Sequence, residues 1–211
     1  MSIHMYLAVK VGEITKSTEK RLAQVGFGLY PDGSVRIPER IIPDALAIID
    51  DMNLPNFSNS AIELLKRKVN KGCILDFERQ PNDRHIRLIR ALSDKKIVGV
   101  PEVFHSHCPN ALPMISCQEP CNNWLHFLRS THKRFPDGWM LEITPWKHER
   151  NGRVSRAEGF LQNSLCHFRR ENGKILYYDT SKTIQQKIIL AERNGCRAAL
   201  ALYSELKQLE T

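Results

Sequence analysis

Short apolar runs alternate with stretches of helical periodicity along most of the chain. Eight runs read as strands: Tyr6–Val11, Ala23–Leu29, Ala45–Ile49, Cys73–Phe77, Ile97–Phe104, Leu112–Cys117, Trp139–Thr144 and Arg197–Tyr203. Most are continuously apolar rather than alternating, the pattern of strands buried on both faces of a parallel sheet. Four helices are predicted between them. Ser58 to Asn70 starts at a serine cap and repeats Ile62, Leu65 and Val69. Asn82 to Ser93 repeats Ile86, Ile89 and Leu92, and Cys121 to Arg134 carries Trp124, Phe127, Leu128 and Thr131. Ser181 to Asn194 repeats Ile184, Ile188 and Ala191, then stops at Gly195, a suitable residue just past a helix end.

The first third is different. Residues 12–57 hold Pro31, Gly33, Pro38, Pro43 and Pro55 and show no convincing helix. Between Glu149 and Asp179, Cys166–Arg170 and Lys174–Tyr178, joined by Glu171-Asn172-Gly173, read as a β-hairpin with an Asn-Gly turn. The expected fold is α/β: a compact (β/α)8 TIM-like barrel with an abbreviated N-terminal half and a β-hairpin insertion before the last helix. An open doubly wound sheet fits the same pattern.

Composition narrows this. With 211 residues, 42% of them hydrophobic, the chain suits a single barrel domain over residues 1–211, short against the roughly 250 residues typical of that fold. No apolar run is long enough to span a membrane. The first residues lack the features of a signal peptide, so a cytoplasmic location is expected, although a mature secreted form would look the same. Six scattered cysteines form no disulfide framework, which agrees with a reducing compartment. The net charge of +8 is spread over Lys66-Arg67-Lys68, Lys95-Lys96, Lys133-Arg134 and Arg169-Arg170. An anionic polymer could exploit it, but no nucleic-acid motif accompanies it, so nucleic acid is not the expected partner. Gly26-Phe27-Gly28 lacks the rest of a dinucleotide fingerprint, and no cofactor is expected.

The chemistry concentrates at Asp76 and Glu78, which end the apolar run beginning at Cys73. Two residues apart on a strand, they project to the same side, with Phe77 turned away. Neighbouring carboxylates do not both ionise freely, so one pKa rises toward neutrality, as glycosidic bond cleavage requires. An exposed acidic turn is the competing explanation. Glu102 is a further acid expected at the barrel mouth, Glu142 within an apolar strand either meets an arginine or faces the site, and Trp146 is a candidate platform for a sugar ring, whereas Trp124 reads as core. Asp50 and Asp51 suit a substrate contact or a helix cap equally, and for Asp179 a cap competes with a site role. His105 and His107 with Cys117 and Cys121 could form a zinc site, but no metalloenzyme signature completes the set, and no metal is expected.

Two stretches go further. One runs from Asn56-Phe57-Ser58 through Leu64-Leu65 and Gly72 to Asp76 and Glu78. The other comprises Tyr177-Tyr178-Asp179-Thr180, Thr183-Ile184, Lys187, Ala191, Asn194-Gly195 and Ala199-Leu200-Ala201-Leu202-Tyr203. Together they resemble the glycoside hydrolase family 18 (chitinase-like) barrel in divergent form. The resemblance implies that Glu78 is the general acid and that Asp76 orients the substrate's 2-acetamido group, whose oxygen attacks the anomeric carbon. It also implies an N-acetylhexosamine-containing glycan, of chitin, peptidoglycan or N-glycan type, as substrate. The family's four-acid pattern is incomplete, with Lys71 and Ile74 at its first two positions. Its sixth strand carries Met-x-Tyr-Asp where this chain has Met114-Ile115-Ser116-Cys117-Gln118. Gln118 could donate to the acetamide in place of the tyrosine, and Tyr203 is the nearest aromatic to the family's final-strand tryptophan. The competing expectation is an inactive barrel that binds glycan or a protein partner.

Overall fold

The computed structural model describes residues 3–10, 12–13, 21–51, 54–117, 123–147, 158–171 and 174–208, with backbone alone at 146–147, 158, 171, 174 and 208. They fall into two compact units, residues 6–114 and residues 1–5 with 115–211.

The 6–114 unit takes in most of β1 (His4–Val9), then β2 (Arg21–Leu29), β3 (Val35–Arg36), β4 (Leu46–Asp50), α1 (Asn59–Lys68), β5 (Cys73–Asp76), α2 (Asp83–Ala91) and β6 (Ile97–Pro101). A 3-10 helix (Glu102–His107) and the start of β7 (Leu112–Ser116) complete it. Phe27, Ile49, Leu65, Leu75, Leu88, Val100 and Phe104 form its core. Local chemistry fixes the helix starts. The Ser58 hydroxyl accepts from the Ala61 amide, and the Asn82 side chain accepts from Arg84 and His85. Gly72 enters β5 with φ +109, a conformation that disfavours side chains, and a Cβ there would collide with the Lys96 carbonyl.

The second unit holds α3 (Trp124–Arg134), β8 (Trp139–Ile143), β9 (Trp146–Lys147), β10 (Glu158–Leu161), β11 (Cys166–Glu171), β12 (Lys174–Tyr178), α4 (Ser181–Arg193), β13 (Cys196–Leu202) and α5 (Tyr203–Gln208). Trp124, Leu128, Trp139, Leu141, Ile184 and Ala199 pack in its core. A capping box between Thr180 and Thr183 starts α4, and Gly195 at φ +83 follows its end.

Eight parallel strands hydrogen-bond in the order β1-β13-β8-β7-β6-β5-β4-β2, and β2 pairs back to β1. The ring closes. The fold is therefore a (β/α)8 TIM-like barrel, and the open sheet is excluded. Its N-terminal half is abbreviated as expected, with no helix among the described residues before Asn59. The expected hairpin is present as β11 and β12, which lie within a four-stranded antiparallel sheet of order β10-β11-β12-β9. Its Asn172-Gly173 turn falls outside the described residues.

Three expectations need correction. The run from Ile97 stops being a strand at Pro101, and Glu102 to His107 winds as a 3-10 helix. Proline has no N–H to continue the ladder, so the strand ends there. The final strand ends at Leu202, and Tyr203 opens α5 rather than closing β13. In α2 the buried face runs through His85, Leu88 and Ile89, with Ile86 only half-buried. A polar residue, His85, occupies the innermost position.

Candidate active site

The site is built on the alternation of β5 and the residues just after it. Cys73, Leu75 and Phe77 join the core together with Leu65 of α1 and Leu88 and Ile89 of α2. Ile74, Asp76 and Glu78 consequently face the other side. Phe77 is buried, whereas Asp76 and Glu78 are exposed. Strand β4 repeats the pattern one place over. Ala47 and Ile49 pack in that core, while Asp50 lies in register beside Asp76. Asp50 is ion-paired with Arg36 of β3, whose guanidinium also donates to the Phe27 carbonyl.

Asp76 is the perturbed member of this group. Its carboxyl is pushed up to about 6, first by loss of hydration and then by the charges of Glu78, Asp50 and Asp51. The acid is thus partly protonated near neutrality beside a second carboxyl on the same side.

Asp51, the next residue after Asp50, turns to the helix side and is buried. Its Oδ1 accepts from the Glu78 amide at 3.0 Å, and its Oδ2 from the Arg79 amide at 3.1 Å and from His85 Nε2 at 2.9 Å. Burial opposes its ionisation, but the His85 ring and the two amides outweigh that and hold the carboxyl below its ordinary range. Asp51 is therefore neither a helix cap nor an exposed substrate contact.

The remaining candidates lie on other elements. Glu102 starts the 3-10 helix after β6 and is half-buried. Glu142 lies on β8 in register with Leu200 and is half-buried. Tyr203 is half-buried at the start of α5. Trp146 lies on β9, paired with Tyr178, but its side chain is outside the described set, as are Gln118 and Cys121 altogether. Trp124 is core, stacked on Phe127 with Lys187 Nζ 5.1 Å from its ring centroid. Asp179 does not cap α4; it is buried and accepts from Lys187 at 2.7 and 2.8 Å and from Thr183. Among the described residues no three His, Cys, Asp or Glu side chains gather as metal ligands. A cavity of about 530 Å³ between the β10–β11 hairpin and α4, lined by Phe160, His167, Lys182 and Gln186 among others, contains none of the candidate acids.

Sequence reasoning missed Arg36 and His85. Arg36 sits on a two-residue strand too short to leave a pattern. The signal for His85 was its spacing, since His85, Leu88, Ile89 and Leu92 share a helical stripe.

No protein-family profile matches the sequence, and no curated protein matches it. Solved structures do. The spore cortex-lytic enzyme SleL of Bacillus megaterium QM B1551 superposes with a TM-score of 0.59 and 12% identity over 99% of this chain and 73% of that one. What the two share is the barrel fold. A chitinase-like agglutinin from Robinia pseudoacacia gives a TM-score of 0.59 at 12% identity, over 97% of each chain. A mutant class V chitinase from Nicotiana tobaccum, solved in complex with NAG4, gives 0.55 at 9% identity over 97% of this chain and 94% of that one. At these identities the likeness is one of architecture.

Proposed function

We propose that the protein is a glycoside hydrolase acting on N-acetylhexosamine-containing glycans by a retaining, substrate-assisted route. The observation that carries this is the Asp76–Glu78 pair: two carboxyls on one side of a barrel strand end, with Asp76 raised to about 6 partly by Glu78. The proton that Asp76 holds at rest passes to Glu78, which donates it to the leaving glycosidic oxygen as that bond breaks. The substrate's acetamide oxygen forms the new bond to the anomeric carbon, while ionised Asp76 accepts a hydrogen bond from the acetamide N–H and steadies the charge that develops. Water then opens the cyclic intermediate and returns a proton to Glu78. The likeness in fold to chitinases and to a cortex-lytic enzyme supports a chitin- or peptidoglycan-type substrate.

The test is Glu78→Gln, assayed for release of reducing ends from chito-oligosaccharides and peptidoglycan. Folding is expected to be retained and nearly all turnover lost; equal activity in the variant would refute the assignment.

A second reading is a barrel that binds glycan without cutting it. It is favoured by Ile74, fully buried, and Lys71, paired on the surface with Asp44 at 2.8 Å, at two positions where the resembling family carries acids. The likeness to an agglutinin points the same way. Saturable binding of chito-oligosaccharides without product release would select it.

A further inference from the structure

We propose that Asp51 and His85 are positioning residues of this site: Asp51 clamps the backbone at Glu78 and Arg79, and His85 locks Asp51 in place. The catalytic consequence rests on the glycosidase reading; the clamp itself does not.

Three observations lead to it. First, one buried carboxylate takes hydrogen bonds from two successive amides, one oxygen to each, at the residue proposed as the acid and its neighbour. Glu78 lies beyond the last residue of β5, so no strand ladder holds its backbone. The clamp supplies from β4's end what the ladder does not.

Second, a carboxylate only accepts, so Nε2 of His85 carries the hydrogen in the 2.9 Å contact with Asp51. Its Nδ1 is buried without a partner among the described residues, so the ring's polar purpose is directed at Asp51. Two phenylalanines flank the ring. Phe77 and Phe104 pack on the ring with centroids 5.0 and 5.1 Å away. An apolar side chain would suit that box better, because a buried polar ring is costly unless hydrogen-bonded.

Third, the chain of contacts runs His85, Asp51, Glu78 and ends at the acid pair. The carboxyl groups bearing on Asp76 are Glu78 beside it, Asp50 on β4, which is itself paired with Arg36 of β3, and Asp51 beneath. Asp51 thus acts twice, once through hydrogen bonds on Glu78's backbone and once through its charge on Asp76.

The experiment uses nuclear magnetic resonance of the intact protein, which needs no turnover. In the wild type, the Glu78 and Arg79 amide proton shifts should both follow one carboxyl titration, that of Asp51, below the ordinary aspartate range. His85→Phe keeps the aromatic box but removes the donor, and should speed exchange of those two amides about tenfold, the loss of one charge-assisted hydrogen bond. His85→Gln, which retains a donor, should restore much of the protection. Asp51→Asn should lower the Asp76 midpoint. With turnover in hand, His85→Phe should cut kcat about tenfold or more and leave KM nearly unchanged. Wild-type amide shifts that ignore Asp51's titration overturn the proposal even if neither variant folds. So does a folded His85→Phe protein with unaltered exchange. A wild type inactive on every glycan, with the amide shifts as expected, would sink the glycosidase reading and leave the clamp standing.

Discussion

Asp76 and Asp51 are both aspartates near one strand end, yet their surroundings drive them in opposite directions. Asp51 has three N–H donors and keeps its charge. Asp76 has like charges around it and loses hydration, so its carboxyl moves from 3.8 to about 6. A raised acid pKa means that the folded state holds the proton more tightly than the unfolded chain does. Asp76 therefore favours folding most below its ordinary pKa, and that contribution is lost as pH rises through about 6. Asp76→Asn should then raise the melting temperature at pH 7, with the gap narrowing as pH is lowered toward 4. Thermal melts of both proteins across that range check it. A gap that does not depend on pH would mean that Asp76 is not perturbed. Stability given up at one carboxyl is a common cost of a reactive site.

The elements show how much the chain reveals of itself. Cys73 to Glu78 was legible because a continuous apolar run ending in a two-residue alternation has one simple geometry, and Phe77 buries as that geometry requires. The end of α4 was legible from Gly195, whereas its start was not, since Thr180 caps it and not Asp179. Short pieces were not: β3 and β9 have two residues each, too few for any period to register. His85 was missed for a different reason. Hydrophobicity favoured Ile86 as the inward position, and only the tertiary partner Asp51 makes an inward histidine favourable. The same holds for Lys187, a charged residue that is buried against Asp179. A buried pair gives little net stability over apolar packing, whereas removing one partner strands the other's charge. Lys187→Met should accordingly destabilise the protein by about 3–5 kcal/mol, and the double change with Asp179→Asn should recover part of that loss. Chemical denaturation of the single and double variants decides it; an additive double variant would rule out coupling between the two.

For the whole molecule, eight strands were countable in the sequence, but a closed ring and an open sheet fitted the same pattern and only the β2–β1 pairing separates them; the four-stranded insertion was visible only as its central hairpin. The acid cluster lies within residues 6–114, contributed by β4, β5 and the turn after β5. The described cysteines Cys73, Cys108, Cys117, Cys166 and Cys196 are all buried. Burial pushes the thiols of Cys73 and Cys196 up to about 12, so almost none of either is thiolate at pH 8. Cys73 opens the strand that bears Asp76, and Cys196 belongs to the other unit. Each sulfur is thus a silent alarm for its own half. Iodoacetamide should leave both unlabelled in the native protein over times that fully alkylate an exposed thiol, as peptide mass spectrometry would record. Under mild denaturant, whichever of the two is modified first names the part of the barrel that breathes more easily.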